Sequence, residues 1–127
     1  MEEVGDRIDP SVPTLLCGDF NMVVDRGLDR SGSDPLDTSR DSSVALSRLL
    51  DSFCVVDAWC SLHPGVRAFT WLRPNGAFAS RIDLVGLPVV WSASLVSCDI
   101  VPCPFSDHCA VILSTGVPDV LGRGPGL

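Results

Sequence analysis

The apolar runs of this chain break off into short polar clusters, and that repeated boundary limits the fold more than any bulk property does. "LLCGDFNMVV", residues 15 to 24, sets Gly18, Asp19 and Asn21 between two hydrophobic segments. Further on, "SRID" occupies residues 80 to 83 and "SDH" residues 106 to 108, each beside a strand-like run. Strand ends are where α/β architectures build their sites. A mixed helix and strand fold is therefore the expectation, with its chemistry at the rim.

The remaining segments fit that class. A chain of 127 residues holds one domain. "VPTLLC" predicts a short buried strand running into "GDFN", and residues 25 to 42 predict a mobile surface loop, because almost nothing in them is apolar. In "DSSVALSRLLDSF" the residues Leu46, Leu49, Leu50 and Phe53 recur at i, i+3, i+4 and i+7, which predicts a helix capped by Asp41 or Ser42. "CVVDAW" reads as a strand. Two β-rich runs around Pro74, Asn75 and Gly76 predict a hairpin, and "SLVSCDIV" and "CAVILS" predict two more strands. Residues 1–115 form the expected domain, and the Gly/Pro-rich 116–127 a tail outside it.

Composition excludes several classes. Hydrophobic residues make up 46% and charged ones 20%, which argues against wholesale disorder. The net charge is −7 and every basic residue is arginine, a poor balance for a basic nucleic-acid module. It leaves room for an enzyme that meets phosphate through a divalent metal. No apolar run is long enough for a bilayer, and "MEEVGDRIDP" is charged where a secretory signal needs an apolar core, so an intracellular address is expected. Six cysteines without a C-x2-C pair point to neither a zinc site nor, in that setting, a disulfide framework; Cys17, Cys54 and Cys109 lie in apolar runs and read as small hydrophobes.

Each polar cluster has a plain structural explanation when taken alone. "GDFN" suits a turn, "SRID" an edge strand and "SDH" a cap. Together they carry more weight, because Asp19, Asp83 and Asp107 lie 64 and then 24 residues apart on separate strand-like elements. All three, with His108, can reach one rim of a sheet.

The order "GDFN", "FTW…PNG…SRID", "SDH" resembles the endonuclease/exonuclease/phosphatase superfamily, over residues 12 to 114 and in the pattern of that family's carboxyl-terminal half. The wording "LHPGVRAFTW", "SRIDLVG" and "PCPFSDHCAV" is most similar to the endonuclease domains of LINE-type retrotransposons. The resemblance implies an α/β fold, part of a four-layer sandwich of two mixed β-sheets flanked by helices, cut to its C-terminal half. It implies a magnesium-dependent phosphodiester hydrolase that nicks DNA, with manganese a possible substitute. Asp19 would align or deprotonate the attacking water, Asn21 would donate to a phosphate oxygen, and Asp83 would orient a protonated His108 against the phosphate. A carboxylate and an amide two residues apart on an extended chain project to the same side. Asp107 would serve the metal, which as magnesium prefers hard oxygens and keeps waters. Thr70, Ser80 and Arg81 complete the expected set as substrate-binding residues.

Departures from the family pattern shape the expectation further. Complete members carry a metal-binding Glu and an Asn upstream of "GDFN", and a Tyr at the phosphate. Here Glu2 and Glu3 are the only glutamates and tyrosine is absent. The expectation is thus a truncated reading frame, with hydrolysis impaired by loss of the N-terminal half and metal binding weakened. One alternative is an inactive interaction fragment whose uncovered sheet meets a protein partner; a second is a phosphatase of the same superfamily. DNA is the implied partner, which would make the address nuclear, and no membrane is involved.

Overall fold

Strand propensity and burial meet most strongly in "DLVGLP", where side chains alternate between two apolar surroundings. This segment, Asp83–Pro88, is the central strand of a three-stranded sheet in the structure, a computed structural model that describes residues 12–32, 39–73 and 76–116. In chain order the elements are β1 (Leu16–Asp19), β2 (Arg30–Ser31), α1 (Ser39–Ser52), β3 (Val55–Asp57), α2 (Ala58–Leu62), β4 (Trp71–Leu72), β5 (Ala79–Ser80), β6 (Asp83–Pro88), a 3-10 helix (Val89–Ser94), β7 (Leu95–Val101) and β8 (Ala110–Thr115). Strands β1, β6 and β3 form one sheet, β2, β5 and β4 a second, and β7 and β8 a ribbon. The expected hairpin is the β4–β5 pair; Pro74 and Asn75 at its tip, like the Gly/Pro-rich tail beyond Gly116, lie outside the described residues.

The predicted apolar stripe of α1 does its work on one face of the first sheet. Leu46 and Leu50 are buried against Val55 of β3 and Leu84 of β6, with Leu49 and Phe53 packed beside them. Full burial of such a leucine contributes about 1.5–3 kcal/mol. On the opposite side of β6, Leu87 joins Ala58 of α2, Trp91 and Cys98 of β7 in a second cluster. The helix stops where Cys54 turns left-handed at φ 53°, which breaks the helical hydrogen-bond ladder and sends the chain into β3.

Several expectations change here. Within the expected α/β class, every described strand pair is antiparallel. Among the described residues β1 pairs with β6 alone, and Cys17 on it and Leu15 just before it are exposed, so the strand is not a buried one. Cys54 is exposed as well, so two of the three cysteines read as small hydrophobes are at the surface, while all six are free thiols. α1 begins at Ser39, which leaves Asp41 and Ser42 inside its first turn and not at its cap. Of the expected mobile loop, residues 33–38 lie outside the described residues, and residues 25–32 form turns and a strand. Asp25 accepts from the amides of Gly27 and Leu28, Asp29 accepts from the amide of Asp25, and β2 follows. "CVVDAW" splits into a strand and a helix because the Asp57 side chain accepts from the Trp59 and Cys60 amides and starts α2. No helix among the described residues is long and apolar enough to cross a membrane.

Candidate active site

The register of the first sheet brings two distant carboxylates together. β1 pairs antiparallel with β6 so that Asp19, the last residue of one, faces Asp83, the first of the other. Like charges placed opposite one another destabilise a sheet pair. A cation between them would relieve that repulsion, and the β7–β8 connection supplies one in His108.

His108 Nδ1 lies 2.8 Å from Asp83 Oδ2, and its Nε2 lies 3.9 Å from Asp19 Oδ2. The hydrogen bond to Asp83 raises the imidazole above the ordinary histidine value; burial opposes this, and the charges of Asp83, Asp19 and Asp107 add to the rise. With Nδ1–H donating to Asp83, the ring turns Nε2 towards Asp19, and when protonated it points a second N–H there. At 3.9 Å that gap is too long for a direct hydrogen bond. An oxygen about 2.8 Å from both atoms would close the triangle at roughly a right angle. The arrangement can therefore hold one external oxygen between an acid and a base.

Local bonds fix these groups. Asp19 Oδ1 accepts from the Asn21 amide at 2.9 Å, closing a turn in which Asn21 has φ 52°. The chain is not extended there, so the expected side-by-side projection of Asp19 and Asn21 gives way to a tight Asx-type turn, with Asn21 exposed beyond it. The His108 amide donates to Ser106 Oγ, and Trp71 forms an isolated antiparallel bridge with His108. Cys109 N donates to the Thr70 carbonyl at 2.6 Å and Leu72 N to that of Asp107 at 3.1 Å.

The three residues expected to touch substrate do not reach the surface. Thr70 is fully buried, and its Oγ1 accepts from the amides of Ile82 and Asp83, both at 3.1 Å. Ser80 is buried in β5 between Arg30 and Trp71. Arg81 is 1% exposed and donates from Nε and Nη2 to Asp29, and from Nη1 and Nη2 to Asp57. All three are buried, and the polar groups of Thr70 and Arg81 are engaged inside the protein. Thr70, Ser80 and Arg81 hold the segment that presents Asp83.

Asp107 also differs from expectation. It is exposed, and its Oδ2 accepts from the Trp71 indole at 3.2 Å, outside the group of converging ligand atoms. That group is Asp19, Asp83 and His108, whose candidate ligand atoms lie within 4.8 Å of one another. Two carboxylates suit a hard divalent ion, but a protonated His108 has no lone pair to give, so the fit rests on the carboxylate oxygens. The second histidine is structural: His63 Nε2 meets the Cys98 carbonyl at 3.1 Å and its ring lies 4.1 Å from that of Trp59.

Sequence reading missed the Asp29–Arg81–Asp57 network. Asp29 sits in a run of polar residues with nothing local to mark it as buried, and its partner is 52 positions away. The network extends to Cys60, whose Sγ lies 3.2 Å from Arg81 Nη2. Burial first, and then the Asp57 charge, push that thiol up to about 12.

No protein-family model matches the chain, and no curated protein sequence matches it significantly. Solved structures do match. The 3′ phosphatase NExo from Neisseria, bound to a product DNA hairpin, aligns with TM-score 0.73 at 22% identity, over 91% of this chain and 50% of its own. The 3′-5′ exonuclease NExo from Neisseria meningitidis aligns with TM-score 0.72 at 23% identity, over 90% and 49%. The AP endonuclease LMAP from Leishmania major aligns with TM-score 0.72 at 19% identity, over 82% and 35%. The chain thus spans about half the length of the Neisseria structures and about a third of the Leishmania one. Over that span it shares the fold of these structures.

Proposed function

We propose that this chain carries half of a phosphodiester hydrolase site, of the DNA-nicking type found in retrotransposon endonucleases. The observation that supports it most is the Asp83–His108 pair at 2.8 Å with the free edge of the imidazole turned to Asp19. In this reading His108 Nε2–H donates to a non-bridging phosphoryl oxygen as charge builds on it. Asp83 keeps the ring oriented and protonated, and its negative charge compensates the imidazolium. Asp19 aligns the attacking water and takes its proton, and Asn21, at the turn, donates its side-chain amide to the phosphate.

The donor chemistry fits magnesium in its oxygens, and Asp19 and Asp83 are the residues that would hold it, with exposed Asp107 reaching its water shell. When bound it would neutralise phosphate charge that an acidic chain cannot. The two glutamates, Glu2 and Glu3, fall outside the described residues, so no described Glu adds to the set.

The test is nicking of supercoiled plasmid in magnesium by the purified chain, beside His108→Ala and Asp19→Ala. Nicking by the parent that both variants lose supports the reading; nicking that survives either substitution sinks it. A second reading, a non-catalytic fragment that binds another chain, draws on the exposure of Cys17 on β1 and of Leu15 just before it. It predicts no nicking by the parent alone, and association with a chain that covers this face.

A further inference from the structure

A cleft of about 640 Å³ opens beside His108, between the β4–β5 hairpin and the loop joining β7 to β8. Its volume suits one nucleotide. Phe105 forms part of one wall and is 88% exposed, more than any other large hydrophobic residue among those described. Leaving a phenyl ring in water is unfavourable, and this one is also held in place. Pro102 and Pro104 restrict the backbone on its amino-terminal side. The Ser106 amide donates to the Cys103 carbonyl at 3.1 Å, closing a turn over Pro104 and Phe105, and Ser106 Oγ in turn accepts from the His108 amide. The ring is therefore tied to the dyad through three residues of stapled chain.

Leu72 and Arg73 line the cleft from β4 and the residue that follows it. The Arg73 guanidinium stands 5.0 Å from the Phe78 ring centroid, a cation–π contact that limits its freedom. Arg73 also lines a second cleft of about 210 Å³, together with Arg30, Trp71 and Phe78. In a chain of net charge −7, Arg73 is the arginine that the cleft beside His108 and this second cleft share. The one carboxylate in the first cleft, Asp107, is partly engaged by the Trp71 indole.

We propose that the Phe105 cleft is a nucleoside subsite: the base of an unpaired nucleotide stacks on Phe105, and the phosphate on its far side meets Arg73, while the adjacent phosphate lies at His108. A small phosphate ester has no group for the Phe105 face, and a base inside a duplex has no free face to offer. The substrate class is thus single-stranded or locally unpaired nucleic acid. This rests on the phosphodiesterase reading for the phosphate at His108, but not for the stacking itself.

The test is fluorescence anisotropy of a labelled single-stranded DNA of about ten nucleotides, with chelator present so that no hydrolysis intervenes. The full chain is compared with Phe105→Ala, Phe105→Trp and Arg73→Gln. Loss of one base–aromatic stack weakens binding about 5- to 150-fold, so Phe105→Ala is expected in that range, with Phe105→Trp restoring it. Arg73→Gln is expected to weaken binding and to lower the salt slope by about 0.7, the value for one single-strand phosphate. Affinity unchanged in Phe105→Ala, or equal affinity of the parent for the paired duplex, overturns the subsite. Plasmid nicking with Phe105-independent binding removes the subsite and leaves hydrolysis standing; Phe105-dependent binding without nicking does the reverse.

Discussion

Replacing Arg81 by methionine isolates what the buried ion network contributes. The guanidinium is 1% exposed and makes contacts of 2.9 and 3.1 Å to Asp29 and of 3.1 and 2.6 Å to Asp57. Burial alone would loosen its proton, but the hydrogen bonds it donates to both carboxylates reverse that and hold it more tightly than in water. Without the guanidinium, two buried carboxylates face each other with no cation between them. Breaking a buried pair by deleting one partner costs about 3–5 kcal/mol. A small domain has roughly 5–15 kcal/mol in total, so the loss is a large share of its stability. With a urea slope of about 2 kcal/mol/M, the unfolding midpoint should fall by about 2 M, read from the fluorescence of the three tryptophans. Adding Asp29→Asn and Asp57→Asn to the methionine variant removes both stranded charges and should recover part of the loss. A shift under about 0.5 M for the single variant, equivalent to about 1 kcal/mol, would refute the account, since it would mean that water or rearrangement satisfies both carboxylates.

Two further outcomes follow from the ionisable groups. Asp83→Asn removes the hydrogen bond that raises His108, so the imidazole resonances of that residue in an NMR titration should shift their midpoint down towards about 6.5. Because the folded-state value of His108 is raised, the stability it contributes is complete below about pH 6.5 and disappears as pH rises through its folded value; Asp83→Asn should therefore cost more stability at about pH 5.5 than at pH 8.5. A cost that does not vary with pH would show that the pair carries no charge. Thiol labelling at about pH 8 should modify exposed Cys17 and Cys54 quickly and spare Cys60 and Cys98, whose thiols burial holds protonated. Equal rates by peptide mass mapping would contradict the described packing around α2 and β7.

The parts of this structure legible in the sequence are those where local pattern and destination coincide. The stripe from Leu46 to Phe53 gave α1 because helical spacing and burial reinforce each other there. The approach of Asp19, Asp83 and His108 could be anticipated because Asp19 ends β1, Asp83 begins β6 and His108 lies just before β8, and rims of adjacent strands meet. What could not be read was the direction of individual polar side chains. Thr70, Ser80 and Arg81 lie beside Asp83 in sequence or space, yet all three are buried, Thr70 satisfied by backbone amides and Arg81 by Asp29 and Asp57. Nothing in residues 25 to 32 distinguishes Asp29, buried and ion-paired, from exposed Asp25 four positions earlier. Cys17 misled for a related reason: an apolar neighbourhood in sequence does not supply a second strand or a covering layer in space.

The pairing of Asp19 with Asp83 also determines which genetic changes the site can absorb. Side chains on a strand alternate faces, so the site depends on parity along β1 as much as on the identity of its last residue. One residue inserted or deleted between Leu16 and Asp19 would keep every functional residue in the chain, yet it would turn Asp19 towards α1 or force Leu16 out of the cluster around Leu84. Substitutions in β1 can be graded in their effects, whereas a single-codon length change there is close to all-or-none.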